Sequence, residues 1–280
     1  MINRRGHGDP TIRVGAGVVV RATRTPDGPA TIHVRHGGSR LEAEAWGAGA
    51  DRLLADLPAL VGLDDDATAV RPTHPLLREM ARRLPGLRIG RTGNVMEALV
   101  PAIIEQKVTG SEAFRAWRLL VTRYGERGPG PYDVWVPPAV DLIAALPYHA
   151  FHPLGVERRR AEAVRRVAAR ADRLSELPDL PLRDAYRRLV SFPGVGPWTA
   201  AEVAIRALGD ADAVSIGDFH LPNLVAWALA GEPRGDDARM LELLEPYRGQ
   251  RGRVIRWLEA GGIRPPRYGP RLELRSIARL

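Results

Sequence analysis

Apolar and polar positions change rhythm along this chain between residues 65 and 75. Over the first 65 or so residues the apolar runs are short. Thr11-Ile12-Arg13-Val14 leads into Val18-Val19-Val20, while Thr31–Val34 and Leu41–Trp46 alternate with period 2, as half-buried strands do. Turn-forming residues, Thr25-Pro26-Asp27-Gly28 and Gly37-Gly38-Ser39, separate these runs. A helical stretch is expected around Asp51–Leu60. The pattern predicts a small curled sheet closed by a helix.

From Pro75 onward the apolar spacing becomes three and four, as on one face of a helix. Helical patterns are expected over Leu76–Leu84, Val95–Tyr124, Val140–Leu146, Arg158–Leu174 and Arg183–Val190. They recur over Thr199–Leu208, Leu221–Leu229, Asp236–Glu245 and Gly252–Ala260. Pro/Gly breaks fall at Gly125–Pro131 and Leu177–Pro181, and no repeat of fixed period is present. The segment from Ile263 is rich in Arg and Pro and is expected to be a loosely held basic tail.

Composition narrows the possibilities. With 280 residues, 45% of them hydrophobic and 26% charged, the chain can bury a real core. A net charge of +8 and a pI near 10.6 favour a polyanionic partner. The chain has no cysteine, which excludes disulfides, zinc-thiolate sites and cysteine-held iron–sulfur clusters. No secretory run or membrane-length apolar stretch is found, so a soluble cytoplasmic protein is expected. Lys107 is the only lysine, and Schiff-base chemistry would have few amines to use.

The most informative segment is Phe192-Pro193-Gly194-Val195-Gly196-Pro197-Trp198-Thr199-Ala200, which joins two helical patterns. Pro193-Gly194 suits the centre of a type II turn, whose second position needs positive φ. Gly196 keeps side chains clear of an approaching backbone. Pro197 suits the first turn of the next helix, where its missing N–H costs nothing. Free N–H groups at the positive end of a helix dipole can hold a phosphate without reading a base. A plain helix connection is the bland reading of a bare Gly-x-Gly; the full string is more specific.

This string resembles the hairpin of the helix–hairpin–helix DNA glycosylase superfamily, and the rest of the chain resembles its 3-methyladenine DNA glycosylase II branch. The resemblance implies a mostly α fold of two helical subdomains with a small N-terminal α+β domain. Its expected divisions are 1–70 for the β-rich domain, 71–262 for the helical glycosylase domain and 263–280 for the tail. In that superfamily an essential Asp follows the hairpin by about twenty residues, and Asp218, in Val214-Ser215-Ile216-Gly217-Asp218-Phe219-His220, takes that place. An N-cap role for Asp218 is compatible with this. The resemblance implies that Pro193, Gly194, Val195, Gly196 and Thr199 form the DNA-binding hairpin. The branch also places a wedge near Glu105-Gln106-Lys107-Val108, although the wedge is usually apolar where this chain has Lys107. Lyase members carry a lysine where this chain has Trp198, so no lyase activity is expected.

The expected substrate is double-stranded DNA holding a damaged base, swung out of the stack and cut at its N-glycosidic bond. Asp218 would stabilise positive charge on the sugar and orient or deprotonate water. No cofactor and no metal are expected, and a monomer associated with a bacterial nucleoid is implied. Alkylated purines carry positive charge, which aromatic faces attract. Trp198, Tyr148, Phe151 and Trp117, with Gln106 and Lys107, are the expected pocket or wedge residues; Phe219 and Trp257 are further aromatic candidates. For each aromatic a core position is the competing expectation. His149 and His152 have ligand-like spacing without further ligands near them. Other readings stay open: a glycosylase for another lesion such as an oxidised base, a non-catalytic helix–hairpin–helix DNA-binding protein, or, more weakly, an RNA-binding protein.

Overall fold

A computed structural model describes residues 4–38 and 40–266. The expected tail lies outside the described residues from position 267 on. The N-terminal strands form where the alternation placed them: β1 (Ile12–Gly15), β2 (Val18–Thr25), β3 (Gly28–Gly37) and β4 (Arg40–Trp46). They make an antiparallel meander in the order β1-β2-β3-β4, with Val20 opposite His33 and Val34 opposite Ala43. Period 2 gives the sheet two apolar faces. Ala30, Ile32 and Val34 pack on Leu53 of helix α1 (Ala50–Ala55), which is followed by α2 (Leu57–Val61). Val20 and Ala22 pack instead on Val134 and Val136.

Helices α3 (Pro75–Arg83), α4 (Val95–Ile104) and α5 (Gly110–Tyr124) come next. One helical pattern was expected over Val95–Tyr124; the structure breaks it at Glu105–Thr109. Lys107 takes a φ of 55° there, and Thr109 restarts the helix with a capping box closed by Glu112. A two-stranded ribbon follows, β5 (Glu126–Arg127) and β6 (Trp135–Val136), where only a Pro/Gly break was expected. Beyond it lie α6 (Val140–Ala145), α7 (Tyr148–Phe151), α8 (Arg158–Ala168) and α9 (Ala171–Ser175). The single pattern expected over Arg158–Leu174 is thus two helices. The last elements are α10 (Leu182–Val190), α11 (Pro197–Val203), α12 (Leu221–Ala230), α13 (Asp237–Leu244) and α14 (Arg251–Ala260). A π-helical turn, Ala204–Leu208, extends α11.

The helices share two main apolar clusters. One gathers α4, α5, α8, α10 and α11 around Leu99, Leu120, Val164 and Leu189. The other gathers α3, α12, α13 and α14 around Met80, Val225, Met240 and Leu258. A smaller cluster of Ile89, Ala201, Ala204, Ile205 and Ala213 lies on α11, its π-helical extension and the loops beside them. The segment that leaves the first cluster through α11 and enters the second through α12 carries both the hairpin and Asp218. The sheet docks on the start of α4: Glu97 accepts from Arg21 at 2.7 Å, from the Thr23 hydroxyl at 2.5 Å and from the Arg24 N–H at 3.1 Å.

Candidate active site

The hairpin between α10 and α11 has the turn that its sequence requires. The Val195 N–H donates to the Phe192 carbonyl at 2.9 Å, closing a four-residue turn with Gly194 at φ 96°. This is type II geometry, and glycine relieves the positive φ at its second central position. A Cβ on Gly194 would also meet Cβ of Ala163 on α8 at 2.8 Å, whereas one on Gly196 would meet nothing within 4 Å. Gly194 is therefore needed by the fold, and the bareness of Gly196 is free for an external partner.

Side chains from neighbouring helices hold the hairpin by its carbonyls. Gln106 Nε2 donates to the Gly194 carbonyl and to Thr199 Oγ1, both at 2.8 Å. Arg166 donates to the Pro193 carbonyl at 2.9 Å. With these oxygens engaged, the hairpin presents its N–H groups at the start of α11, where no side chain caps the helix. Gln106 was expected in the pocket or wedge; the structure places it on the hairpin. Lys107 is exposed beside it on the same turn.

Asp218 stands at the start of α12, half-buried. Its Oδ1 accepts the N–H groups of His220 at 2.7 Å and Leu221 at 2.9 Å. Its Oδ2 accepts from Trp198 Nε1 at 3.0 Å. The capping bonds fix the carboxylate on α12, and the indole fixes it against α11. One carboxylate oxygen is thus tied to each apolar cluster of helices.

No family model matches the chain. Over 170 residues it is 32% identical to a Mycobacterium tuberculosis protein named "Probable bifunctional transcriptional activator/DNA repair enzyme AlkA", covering 58% of this chain and 34% of that protein. Over 167 residues it is 30% identical to DNA-3-methyladenine glycosylase 2 of Escherichia coli, covering 59% of this chain and 57% of the relative. The chain thus matches between 34% and 57% of the length of these relatives. Its fold is that of a 3-methyladenine DNA glycosylase from Archaeoglobus fulgidus, with a TM-score of 0.77 at 23% identity over 89% of this chain and 88% of that one.

The expected aromatic residues separate by burial. Trp198 is half-buried and bonded to Asp218. Phe151 has no exposed surface and Trp117 is 5% exposed; both belong to the first apolar cluster. A ring sealed in the core cannot stack on a flipped base, so neither serves as an open pocket wall in this conformation. Trp117 does border a narrow polar slot with Arg5, Glu97 and Arg206, and its Nε1 lies 3.3 Å from Asp9 Oδ1. Tyr148 packs against the same core beneath Arg158. Trp257 is buried in the second cluster. Phe219, next to Asp218, is 74% exposed. Asp210 and Asp212 are structural. Asp210 accepts from the Tyr186 hydroxyl at 2.8 Å, and Asp212 pairs with Arg251 at 2.5 Å. Burial, then the Asp210 carboxylate, pushes the Tyr186 hydroxyl far above its usual range.

Sequence reasoning missed a set of buried charges beside this site. Glu202 lies one helical turn after Trp198, on the same face of α11. Its Oε1 accepts from the Ser215 hydroxyl at 2.6 Å, its Oε2 is paired with Arg206, and Arg256 approaches Oε1 at 3.9 Å. Burial opposes the charge on Glu202. The guanidinium groups of Arg206 and Arg256, the Ser215 hydroxyl and Arg5 overcome that penalty and hold its pKa at about 2. Arg5 reaches in from the N-terminal segment and donates to Glu105 at 2.6 Å. Burial and the neighbouring Arg206 lower the Arg5 pKa, against the pull of Glu105. The spacing of Trp198, Glu202 and Arg206 at i, i+4 and i+8 was a usable signal; the approach of Arg5 and Arg256 had no local one.

Proposed function

We propose that this chain is a monofunctional DNA glycosylase that hydrolyses the N-glycosidic bond of damaged, alkylated purines in duplex DNA. The observation that carries this reading is Asp218. Its carboxylate is held by three N–H donors, next to the hairpin, in the seam between two helical clusters. The names of the curated relatives point to the same chemistry.

The hairpin N–H groups hold a DNA phosphate, with Gly196 leaving room for the backbone. The damaged nucleotide swings out of the stack into the seam, with the two helical clusters as subdomain walls. The C1′–N bond then breaks, and its electron pair leaves with the base. On an alkylated purine this pair neutralises the ring's positive charge, so no proton need be donated to it. The sugar is left cationic, and the fixed Asp218 carboxylate stabilises it without reorganising. Water adds at C1′ and gives its proton to Asp218. Trp198 occupies the place of the lyase lysine, which supports simple hydrolysis.

The test is base release from methylated duplex DNA by the wild type and by Asp218→Asn. The wild type is expected to release methylated purines. The variant should bind DNA with similar affinity and turn over about 10²–10⁴-fold more slowly. Equal turnover by the two proteins would remove Asp218 from the mechanism.

A further inference from the structure

Three arginines along α8 and α9 carry charge that the fold does not neutralise. Arg166, Arg170 and Arg173 follow one another at i, i+4 and i+7, and all three are exposed. Their neighbours on α10, Arg187 and Arg188, pair with Asp184 and Glu176. Arg166, Arg170 and Arg173 pair with no carboxylate among the described residues. Their contacts to the protein are few. Arg166 donates to the Pro193 carbonyl at 2.9 Å and Arg170 to the Ala169 carbonyl at 3.1 Å, while the Arg173 guanidinium lies 6.0 Å from the centre of the Phe192 ring. A guanidinium has five N–H donors, so most of theirs are left for a partner outside the fold.

These side chains line an open groove of about 300 Å³, which Ser191, Phe192 and Pro193 of the hairpin line as well. No acidic residue lines it. Unlike the charges sealed around Glu202, it is open to solvent and has room for a phosphate group. Like charges held side by side repel one another, and an anion in the groove relieves that repulsion. We propose that the groove holds a second phosphate of the duplex whose first phosphate sits on the hairpin N–H groups. The DNA backbone then passes from the start of α11 across Pro193 onto α8 and α9. The inference rests on the reading of the hairpin as a DNA clamp given above. Charge complementarity and the shared wall favour this occupant: a guanidinium fork matches phosphate oxygens, and the hairpin already brings the backbone to the groove's edge. Such a contact positions the duplex and reads no base.

Duplex binding followed between about 50 and 200 mM salt tests this, because each phosphate contact contributes about 0.9 to the slope of log affinity against log salt. The variant carries Arg170→Gln and Arg173→Gln; Arg166 is kept because it supports the Pro193 carbonyl. It is expected to bind at least about tenfold more weakly at low salt, with a slope shallower by about 0.9. A control carrying Arg187→Gln and Arg248→Gln loses the same net charge from exposed arginines outside the groove, and it should keep the wild-type slope. An equal loss in the control would assign the effect to net charge and overturn the inference. Arg170→Lys with Arg173→Lys should restore most of the slope. A lysine pair as weak as the glutamine pair would assign the effect to packing and overturn it too. Failure of the wild type to bind duplex removes the clamp and this inference together. Wild-type binding with an unchanged slope in the glutamine variant overturns this inference alone.

Discussion

Asp218 and Glu202 are both half-buried or buried carboxylates near one indole, yet their surroundings suit them to different work. Asp218 is held by neutral N–H donors, which fix its position and leave its charge available to a developing cation. Glu202 is enclosed by guanidinium groups and a hydroxyl, which bind its charge into the protein. Its pKa of about 2 lies below the ordinary value of 4.5. A depressed folded-state value means that Glu202 contributes stability above pH 4.5, and that this contribution is lost as pH falls toward 2. The difference corresponds to on the order of 3 kcal/mol. Thermal unfolding followed between pH 5 and pH 2 should therefore fall more steeply for the wild type than for Glu202→Gln. Parallel curves would show that Glu202 is not coupled to its guanidinium neighbours. Asp218 was legible because it sits at a motif spacing. Glu202 was not, because what makes it unusual is the approach of Arg5 and Arg256 from opposite ends of the chain.

At the scale of elements, the hairpin separates a glycine that the fold needs from one that only the proposed phosphate contact needs. Gly194 has a φ of 96° and no space for a methyl group against Ala163. Gly196 has a φ of −96° and open space where a methyl group would lie. Gly194→Ala should cost about 1–3 kcal/mol of stability through backbone strain and the close contact. Gly196→Ala should leave stability within about 0.5 kcal/mol of the wild type and weaken duplex binding, because its methyl group would stand where the proposed phosphate contact lies. Urea unfolding and DNA titration on the two variants separate the effects; a Gly196→Ala protein that binds as the wild type does would move the phosphate elsewhere. The turn chemistry was readable because Pro-Gly dictates it locally. The break after Ile104 was also written in the chain, as the capping pair Thr109 and Glu112, but the apolar spacing runs straight across it. The division of α8 from α9 has neither Gly nor Pro at Ala169–Arg170 to announce it. Strands β5 and β6 have two residues each, too few for an alternation to register.

For the whole molecule, the two helical clusters keep a fixed seam only if the segments that join them are held, and much of that holding is ionic. Arg253 on α14 has no exposed surface. It pairs with Asp65, donates through Nε to Gln250 Oε1 at 2.6 Å, and its backbone N–H donates to the Ala211 carbonyl at 2.9 Å. Asp65 in turn takes the Ile89 N–H at 2.9 Å. Through its guanidinium and its backbone N–H, Arg253 therefore ties the link after α2, the segment before α4 and the loop after α11 to a single helix. Burying such a pair is weak evidence of net stabilisation, but removing one partner leaves the other charged and uncompensated. Arg253→Met should accordingly cost about 3–5 kcal/mol in urea unfolding. Arg253→Met combined with Asp65→Asn should recover part of that loss, since the amide oxygen still serves Ile89 and no lone charge remains. A loss below about 1 kcal/mol in the single variant, or no recovery in the double one, would mean that packing in the second cluster, rather than this ion pair, holds the seam.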